Sequence, residues 1–196
     1  IGVTCDVTDP RTVEIVVQDA MNRFGSIDIL VNNAALFAEL PQKSFLEIDD
    51  TEWDRVMEVN VRGPFTLAKA VVPKMKKSAY GRIINIASGT VFKGTPLFLH
   101  YVSSKGAQIA FTRALSREVG QFGITVNCLA PGLTLSDSVT ANKQFSENQA
   151  GNYKTRALQR NEFPEDLVGA IVFLSSEKSG FITGQTLIID GGSVMW

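Results

Sequence analysis

Arg82-Ile-Ile-Asn-Ile-Ala87, with Ser88 directly after it, gives the clearest indication of the fold of this chain. The apolar run predicts a strand, and Ser88 places a hydroxyl at its end. Similar short apolar runs lie at residues 27–31, 124–129 and 184–190, and helix-like segments separate them. Continuous apolar strands separated by helices indicate a parallel sheet that is covered on both faces.

The residues between these runs carry helix signals. Asp9 can cap a helix that has Pro10 at its first position, and Gly25 ends the apolar face of that helix. Further helices are predicted over residues 51–77, 101–122 and 164–175. Residues 1–5 are predicted to be the end of an earlier strand. The polar stretch 134–161 has few regular apolar repeats and is predicted to be a long loop, which is usually functional.

The composition excludes several classes of protein. The chain has 196 residues, is 44% hydrophobic and has a formal net charge of −1, which suits one α/β domain with a sizeable core. No long Lys/Arg run supports nucleic-acid binding, and no apolar run approaches the length of a membrane span. Cys5 and Cys128 lie in predicted buried strands without metal-ligand spacing, so we expect reduced core thiols in a cytoplasmic protein. The sequence shows no metal cluster.

Tyr101 and Lys105 form the most informative pair, because residues four apart share one face of a helix. An ammonium beside a phenol lowers the pKa of the phenol below its usual value of about 10, because it favours phenolate. The Ser88 hydroxyl can hold a substrate carbonyl within reach of that phenol. These groups together can donate or remove a proton at an oxygen-bearing carbon.

Polar and glycine-containing motifs follow the carboxyl ends of several predicted strands. They are Asp6, Asn32-Asn-Ala-Ala35, Ser88 and Pro131-Gly132. In open parallel sheets ligands bind along that edge. Segments far apart in the sequence therefore predict one common binding site.

The chain resembles the short-chain dehydrogenases/reductases from residue 1 to about residue 192. The motifs that carry the resemblance are Cys5-Asp-Val-Thr-Asp9, Asp28-Ile-Leu-Val-Asn-Asn-Ala-Ala35, Asn60, Ser88, Tyr101 with Lys105, Pro131-Gly132 and Thr183-Gly-Gln-Thr-Leu-Ile-Ile-Asp-Gly-Gly192. A lone Tyr-x-x-x-Lys is common by chance, whereas the ordered set is specific. The resemblance implies a Rossmann-type doubly wound parallel sheet in three α/β/α layers.

The resemblance also implies residue roles. Tyr101 matches the catalytic acid/base, Lys105 the partner of the nicotinamide ribose, and Ser88 the hydroxyl that orients the carbonyl. Asn60 matches the asparagine that holds a water in a proton relay. With NAD or NADP as cofactor, the implied cofactor-binding residues are Asp6, Val7, Asn33, Ala34, Ala35, Tyr101, Lys105, Pro131, Gly132, Leu133 and Ser136.

The chain departs from the family pattern in three places. Ala35 stands where the family usually has glycine, and Ser136 where it often has threonine. The family begins with a strand, a Thr-Gly-x-x-x-Gly-x-Gly turn, a helix and a second strand, none of which is found in these residues. We therefore expect residues 1–196 to be one N-terminally incomplete domain of a longer chain. The residues that select NAD or NADP lie in that segment in the family, so the choice stays open.

The implied reaction is reversible oxidation of a secondary alcohol to a ketone. Apolar residues border the predicted site, namely Leu36, Phe37, Val91, Phe92, Leu97 and Phe98. Ligand pockets are mostly apolar, so we expect a hydrophobic substrate, aromatic or alicyclic. The resemblance further implies that the 134–161 stretch is a mobile lid and that the protein is a homotetramer or homodimer.

Several alternatives stay open at this point. The protein can be a non-catalytic member that binds a dinucleotide, or a reductase of a carrier-linked ketoester with Arg113 and Arg117 as a basic docking surface. The aromatic residues near the site can be core or oligomer contacts. Individually, Tyr101 can be a surface tyrosine, Ser88 a turn residue and Ser136 a loop residue. Asn60 can be a helix-bend hydrogen bonder, Asp6 a helix-start residue, and His100 structural or solvent-facing.

Overall fold

The computed structural model describes residues 1–146 and 153–196. Its sheet has four parallel strands whose spatial order follows the chain: β1 (Ile29–Asn32), β2 (Gly81–Ile86), β3 (Ile124–Pro131) and β4 (Thr186–Ile189). The helices are α1 (Pro10–Phe24), α2 (Asp50–Met57), α3 (Gly63–Ser78), α4 (Thr90–Lys93), α5 (Leu99–Val119), α6 (Asp137–Ala141), α7 (Lys143–Ser146) and α8 (Glu165–Ser175). Helices lie on the connections between successive strands, as a parallel sheet requires.

Side chains on the two faces of the sheet enter separate cores. On one face, Ile83 of β2 and Val126 of β3 pack with residues of α1, α3 and α5. On the other face, Ile84 of β2 and Leu129 of β3 pack with Leu174 of α8. Neighbouring residues such as Ile83 and Ile84 separate in this way because successive side chains of a strand point to opposite faces. The expected three-layer α/β/α arrangement is confirmed.

Helices do not cover both faces of the sheet at β1. Ile29 and Val31 are 46% and 37% exposed. They pair in register with Arg82 and Ile84 of β2, so they point to the same face of the sheet as those residues. Over β2 and β3, that face is covered by α8. In the part of the chain that the structure describes, no helix covers that face at this edge.

Residues 1–5 form no strand, which corrects the sequence prediction. The hydrogen-bonded sheet of the described residues begins at β1, so this segment has no partner strand. Cys5 is consequently half-buried in an irregular segment, whereas Cys128 is fully buried within β3, as expected.

The helix signals locate α1 correctly. Asp9 caps the helix by accepting a hydrogen bond from the backbone N–H of Arg11 at 2.9 Å, and Pro10 is its first residue. Gly25 ends it with a φ of 80°, a left-handed conformation that favours glycine. The helix predicted over residues 51–77 is interrupted, because residues Glu58–Arg62 form a π-helical turn between α2 and α3.

The 134–161 stretch is more ordered than a long loop. It contains α6 and α7, and Phe145 of α7 is buried against Phe98 and Tyr101. Residues 147–152 of the expected lid lie outside the described residues. Among the helices that the structure describes, none is both long enough and apolar enough to cross a membrane.

Candidate active site

A cleft of about 600 Å³ opens at the carboxyl edge of the sheet, where β1, β2 and β3 end. Nine of the predicted site residues line it: Asn33, Ala35, Ser88, Tyr101, Lys105, Pro131, Gly132, Leu133 and Ser136. The other predicted residues, Asp6, Val7, Ala34 and Asn60, are not part of its wall. The structure therefore brings the Ser-Tyr-Lys set together with the Pro-Gly turn at one site.

The Ser88 hydroxyl is held by the residue two positions after it. Its oxygen accepts hydrogen bonds from the backbone N–H of Thr90 at 3.2 Å and from the Thr90 hydroxyl at 3.0 Å. Since both acceptor positions of the oxygen are used, the Ser88 hydrogen is left to donate toward the cleft. The sequence prediction missed Thr90, because nothing in its spacing distinguishes it from an ordinary residue of the turn.

Tyr101 and Lys105 both lie on α5 and are buried at the base of the cleft. The Lys105 Nζ donates a hydrogen bond to the backbone carbonyl of Ile86 at 2.6 Å and lies 5.7 Å from the centre of the Tyr101 ring. An ammonium has three donors, and within the described residues this is its one hydrogen bond. Two donors therefore stay available for a ligand.

Burial controls the acidity of these two side chains. It raises the pKa of Tyr101 to about 12, while a hydrogen bond with Ser88 acts in the opposite direction. Burial also lowers the pKa of Lys105 to about 8. The sequence prediction of a lowered phenol pKa is therefore wrong for this structure, because desolvation of the phenolate outweighs the hydrogen bond with Ser88.

Asn60 lies beneath the cleft in the π-helical turn and is fully buried. Its side-chain oxygen accepts from the Leu36 N–H at 2.8 Å, and its nitrogen donates to the Leu36 carbonyl at 3.1 Å and the Ser104 hydroxyl at 3.0 Å. Its backbone carbonyl accepts from Gln108 Nε2 at 2.6 Å. Asn60 thus ties the segment after β1 to α5, close to Tyr101.

The remaining predicted cofactor residues lie toward the β1 side of the molecule. Asp6 is exposed, and its carboxylate accepts from the backbone N–H and hydroxyl of Thr8 at 2.8 and 2.7 Å, which lowers its pKa. Val7 packs against Gly63 at the start of α3. Ala34 is exposed and does not line the cleft, whereas its neighbours Asn33 and Ala35 both do.

Three aromatic rings surround Tyr101 and form an apolar wall of the cleft. The centre of the Phe37 ring lies 4.8 Å from that of Tyr101, and the Phe98 ring lies 6.1 Å from it. Phe145 stacks on Phe98 at 6.1 Å. Phe37 and Phe98 were predicted to border the site. By contrast, Phe92 packs away from the cleft, against the Ile109 cluster and Trp196.

His100 is structural, which is one of the two roles that the sequence left open. It is fully buried, and its Nε2 lies 2.8 Å from an oxygen of Glu52. The other oxygen of Glu52 pairs with Lys43. This network attaches the start of α5, where Tyr101 lies, to α2. Sequence reasoning missed Lys43 and Glu52 because they lie about fifty residues from His100.

Within residues 1–146 and 153–196, no three His, Cys, Asp or Glu side chains approach closely enough to hold a metal ion. The cleft instead combines a buried phenol, an ammonium and a serine hydroxyl beside an apolar wall. This set of groups can exchange a proton with the oxygen of an apolar substrate.

Comparison with known proteins decides the family. A family model described as enoyl-(acyl carrier protein) reductase matches residues 1–194. The chain belongs to the short-chain dehydrogenase/reductase family. The family resemblance stated from the sequence motifs is thereby confirmed.

Related proteins agree with this assignment. The 3-oxoacyl-(acyl-carrier-protein) reductase of Escherichia coli strain K12 is 36% identical over 195 residues, which are 99% of this chain and 78% of that protein. The dehydrogenase/reductase SDR family member 4 of Pongo abelii is 34% identical over 192 residues, 98% of this chain and 68% of that protein. Among solved structures, ElxO with NADP bound has a TM-score of 0.90 and 30% identity, covering 97% of this chain and 77% of that one.

Proposed function

We propose that this protein interconverts a secondary alcohol and a ketone with NAD or NADP, and that the substrate is hydrophobic. The observation that carries the proposal is the grouping of Ser88, Tyr101 and Lys105 in one cleft at the carboxyl edge of the sheet. When bound, the nicotinamide supplies or accepts the hydride. The structural relative ElxO holds NADP, which supports a dinucleotide in this fold.

The chain offers suitable groups to hold that cofactor. The two free donors of Lys105 suit ribose hydroxyls, and Pro131, Gly132 and Leu133 present backbone at the cleft wall. Ser136 adds a hydroxyl beside them. We propose these residues, with Asn33 and Ala35, as the cofactor-binding part of the cleft. Asp6, Val7 and Ala34, which lie outside its wall, are proposed only through the family resemblance.

The acidity of Tyr101 suits proton donation in the direction of ketone reduction. With a pKa of about 12, the phenol is protonated at neutral pH and can give its proton to the substrate oxygen. Ser88 donates a hydrogen bond to the same oxygen as negative charge develops there. Lys105 stabilises the phenolate that forms, since opposite charges attract strongly in a buried site. Alcohol oxidation uses the same groups in reverse.

Asn60 acts as a positioning residue, because its bonds join the segment after β1 to α5, the helix that carries Tyr101.

The apolar wall of Phe37, Phe98 and Phe145 supports an aromatic or alicyclic substrate, because aromatic rings favour contact with other rings. The proposal predicts that the purified protein oxidises NADH or NADPH with aryl-alkyl ketones, with a kcat/KM about 100-fold above that for acetone. Phe37→Ala is expected to reduce this preference at least tenfold.

The matched control is Phe24→Ala, which removes an exposed ring at the end of α1 and is expected to leave the preference unchanged. Absence of turnover across aryl, alicyclic and aliphatic ketones, together with tight dinucleotide binding, would instead establish the non-catalytic alternative.

Reduction of a carrier-linked ketoester is a second candidate. A separate cleft of about 710 Å³ is lined by Arg113 and Arg117, whose side chains have no hydrogen bond or ion pair within the described residues. An acidic carrier protein needs such a basic surface, and one relative is named a reductase of this kind. A carrier-linked 3-oxo thioester that reacts at least tenfold better than its free analogue, with loss of that advantage in Arg113→Glu/Arg117→Glu, would support this candidate over free ketones.

We also propose that residues 1–196 all belong to one domain, and that the protein assembles into a homodimer or homotetramer in the cytoplasm. Large apolar side chains are exposed on α3, α8 and β4, namely Phe65, Phe173 and Leu187. Extensive exposed apolar surface is uncommon on monomeric proteins. Light scattering is expected to give a multiple of the monomer mass, and a monomer at micromolar concentration would contradict the assembly.

The proposed cytoplasmic location is supported by the two free thiols, Cys5 and Cys128, which suit a reducing compartment.

A further inference from the structure

A buried ion pair lies directly behind the Pro-Gly turn of the cleft. The side chains of Arg156 and Glu162 are only 4% and 5% exposed, and Arg156 Nη2 lies 3.6 Å from Glu162 Oε2. Burial of both charges carries a large desolvation cost, which a pair of this length offsets only partly. Stability alone therefore gives little reason for two charges here.

Both members of the pair bond to residues that follow Pro131-Gly132. Arg156 Nη2 donates to the Leu133 carbonyl at 3.0 Å, and Nη1 donates to the Arg160 carbonyl at 3.0 Å. Glu162 accepts from the Thr134 hydroxyl at 2.7 Å, and its backbone carbonyl accepts from the Leu135 N–H at 2.8 Å. The two side chains thus hold Leu133 and Thr134 from behind, while the Glu162 main chain holds Leu135.

The fit at Gly132 shows how closely the pair approaches the turn. A side-chain carbon added at Gly132 would lie 2.7 Å from Glu162 Oε2 and 3.0 Å from Arg156 Nη2. The Gly132 N–H is itself held by the Ile189 carbonyl of β4 at 2.8 Å. A shift of either charged side chain would therefore move the wall of the cleft.

The neighbouring acid, Asp190, does not replace Glu162 in this role. Its carboxylate accepts from the backbone N–H groups of Gly192, Ser193 and Val194 at 2.9 to 3.0 Å. These bonds direct Asp190 toward the turn after β4. Glu162 is consequently the carboxylate that the Arg156 guanidinium faces.

We propose that Arg156 and Glu162 are positioning residues that set the backbone of the turn at residues 132–134 for cofactor binding. The inference rests on the proposed function, because it needs the cleft to bind a dinucleotide. The pair acts through Gly132, Leu133 and Thr134 and does not contact the reacting atoms. Its expected effect is therefore on cofactor affinity and turn geometry.

The test compares single and double replacements in the full natural chain. Arg156→Met leaves Glu162 buried without its partner, so we expect a lower Tm and a Kd for NADPH or NADH, measured by fluorescence titration, that rises at least tenfold. In Arg156→Met/Glu162→Met both charges are removed, so we expect Tm to recover. The Kd is expected to stay raised, because the bonds to Leu133 and Thr134 are still missing.

The matched control is Arg160→Met, at a position four residues after Arg156. This substitution breaks the ion pair between the exposed Arg160 side chain and Asp166. We expect its Kd to stay within twofold of the unmodified protein. Recovery of both Tm and Kd in the double variant would overturn the inference and make the pair merely structural. If Arg156→Met fails to fold, the double variant alone decides. Failure of the unmodified protein to bind either dinucleotide would contradict the proposed function instead.

Discussion

Tyr101→Phe is expected to reduce kcat for ketone reduction by about 1,000-fold. The substitution removes the hydroxyl that donates the proton and keeps the ring. The ring keeps its packing against Phe37 and Phe98, so the fold should be retained. Ser88 keeps its bonds with Thr90 and stays in place. Steady-state kinetics with an aryl ketone, and the Kd for NADPH or NADH, measure the two effects separately.

Tyr80→Phe is the matched control for Tyr101→Phe. The Tyr80 ring stacks under the Arg82 guanidinium at 4.3 Å, away from the cleft, and the phenylalanine ring preserves that contact. Its kcat is expected to change less than twofold. Undiminished turnover in Tyr101→Phe would refute the assignment of Tyr101 as the acid, whereas loss of cofactor binding would show that the phenol shapes the groove.

The sequence predicted the core of this fold because local signals and long-range packing agree there. The apolar run of β2 is buried on both faces, and the caps at Asp9 and Gly25 are short-range features that no distant contact alters. The spacing of Tyr101 and Lys105 is likewise fixed by helix geometry. These features therefore transfer directly from sequence to structure.

Other features depend on partners that are remote in sequence. The Tyr101 pKa follows from how completely the surrounding elements bury the phenol, which spacing along α5 does not reveal. Arg156 and Glu162 lie in a polar segment that has no periodicity, and their role depends on the turn after β3. The coverage of β1 similarly depends on which elements lie beside it. Sequence patterns record none of these relations.

Lys105→Met is expected to make the protein more stable at pH 7 by about 2 kcal/mol. The folded-state pKa of Lys105 is lowered to about 8 from 10.5. A group with a lowered pKa adds stability above its unfolded pKa and loses it as pH falls through the folded value. At pH 7 the unmodified protein therefore bears the full cost of a buried ammonium, about 3 kcal/mol. Methionine removes that cost but also loses the bond to Ile86, worth about 1 kcal/mol.

The stability difference between Lys105→Met and the unmodified protein should narrow between pH 8 and 10.5, the window that the two pKa values of Lys105 define. Tyr101, whose folded-state pKa is raised to about 12, loses stability only as the pH rises above 10, so measurements at pH 7 and pH 10 avoid most of its titration. Urea unfolding at pH 7 and pH 10 measures the difference. Lys77→Met, at the exposed end of α3, is the control and should show no such trend.

Turnover is expected to move in the opposite direction to stability. Without the ammonium near the Tyr101 ring and its donors for the ribose, kcat/KM should fall by at least about 100-fold. A Lys105→Met variant that is more stable but less active would show that the buried ammonium lowers stability and that turnover nevertheless requires it. A Lys105→Met protein that is less stable at pH 7 would show that the ammonium is not desolvated in the way its burial indicates. An equally active Lys105→Met protein would show that turnover does not need the ammonium.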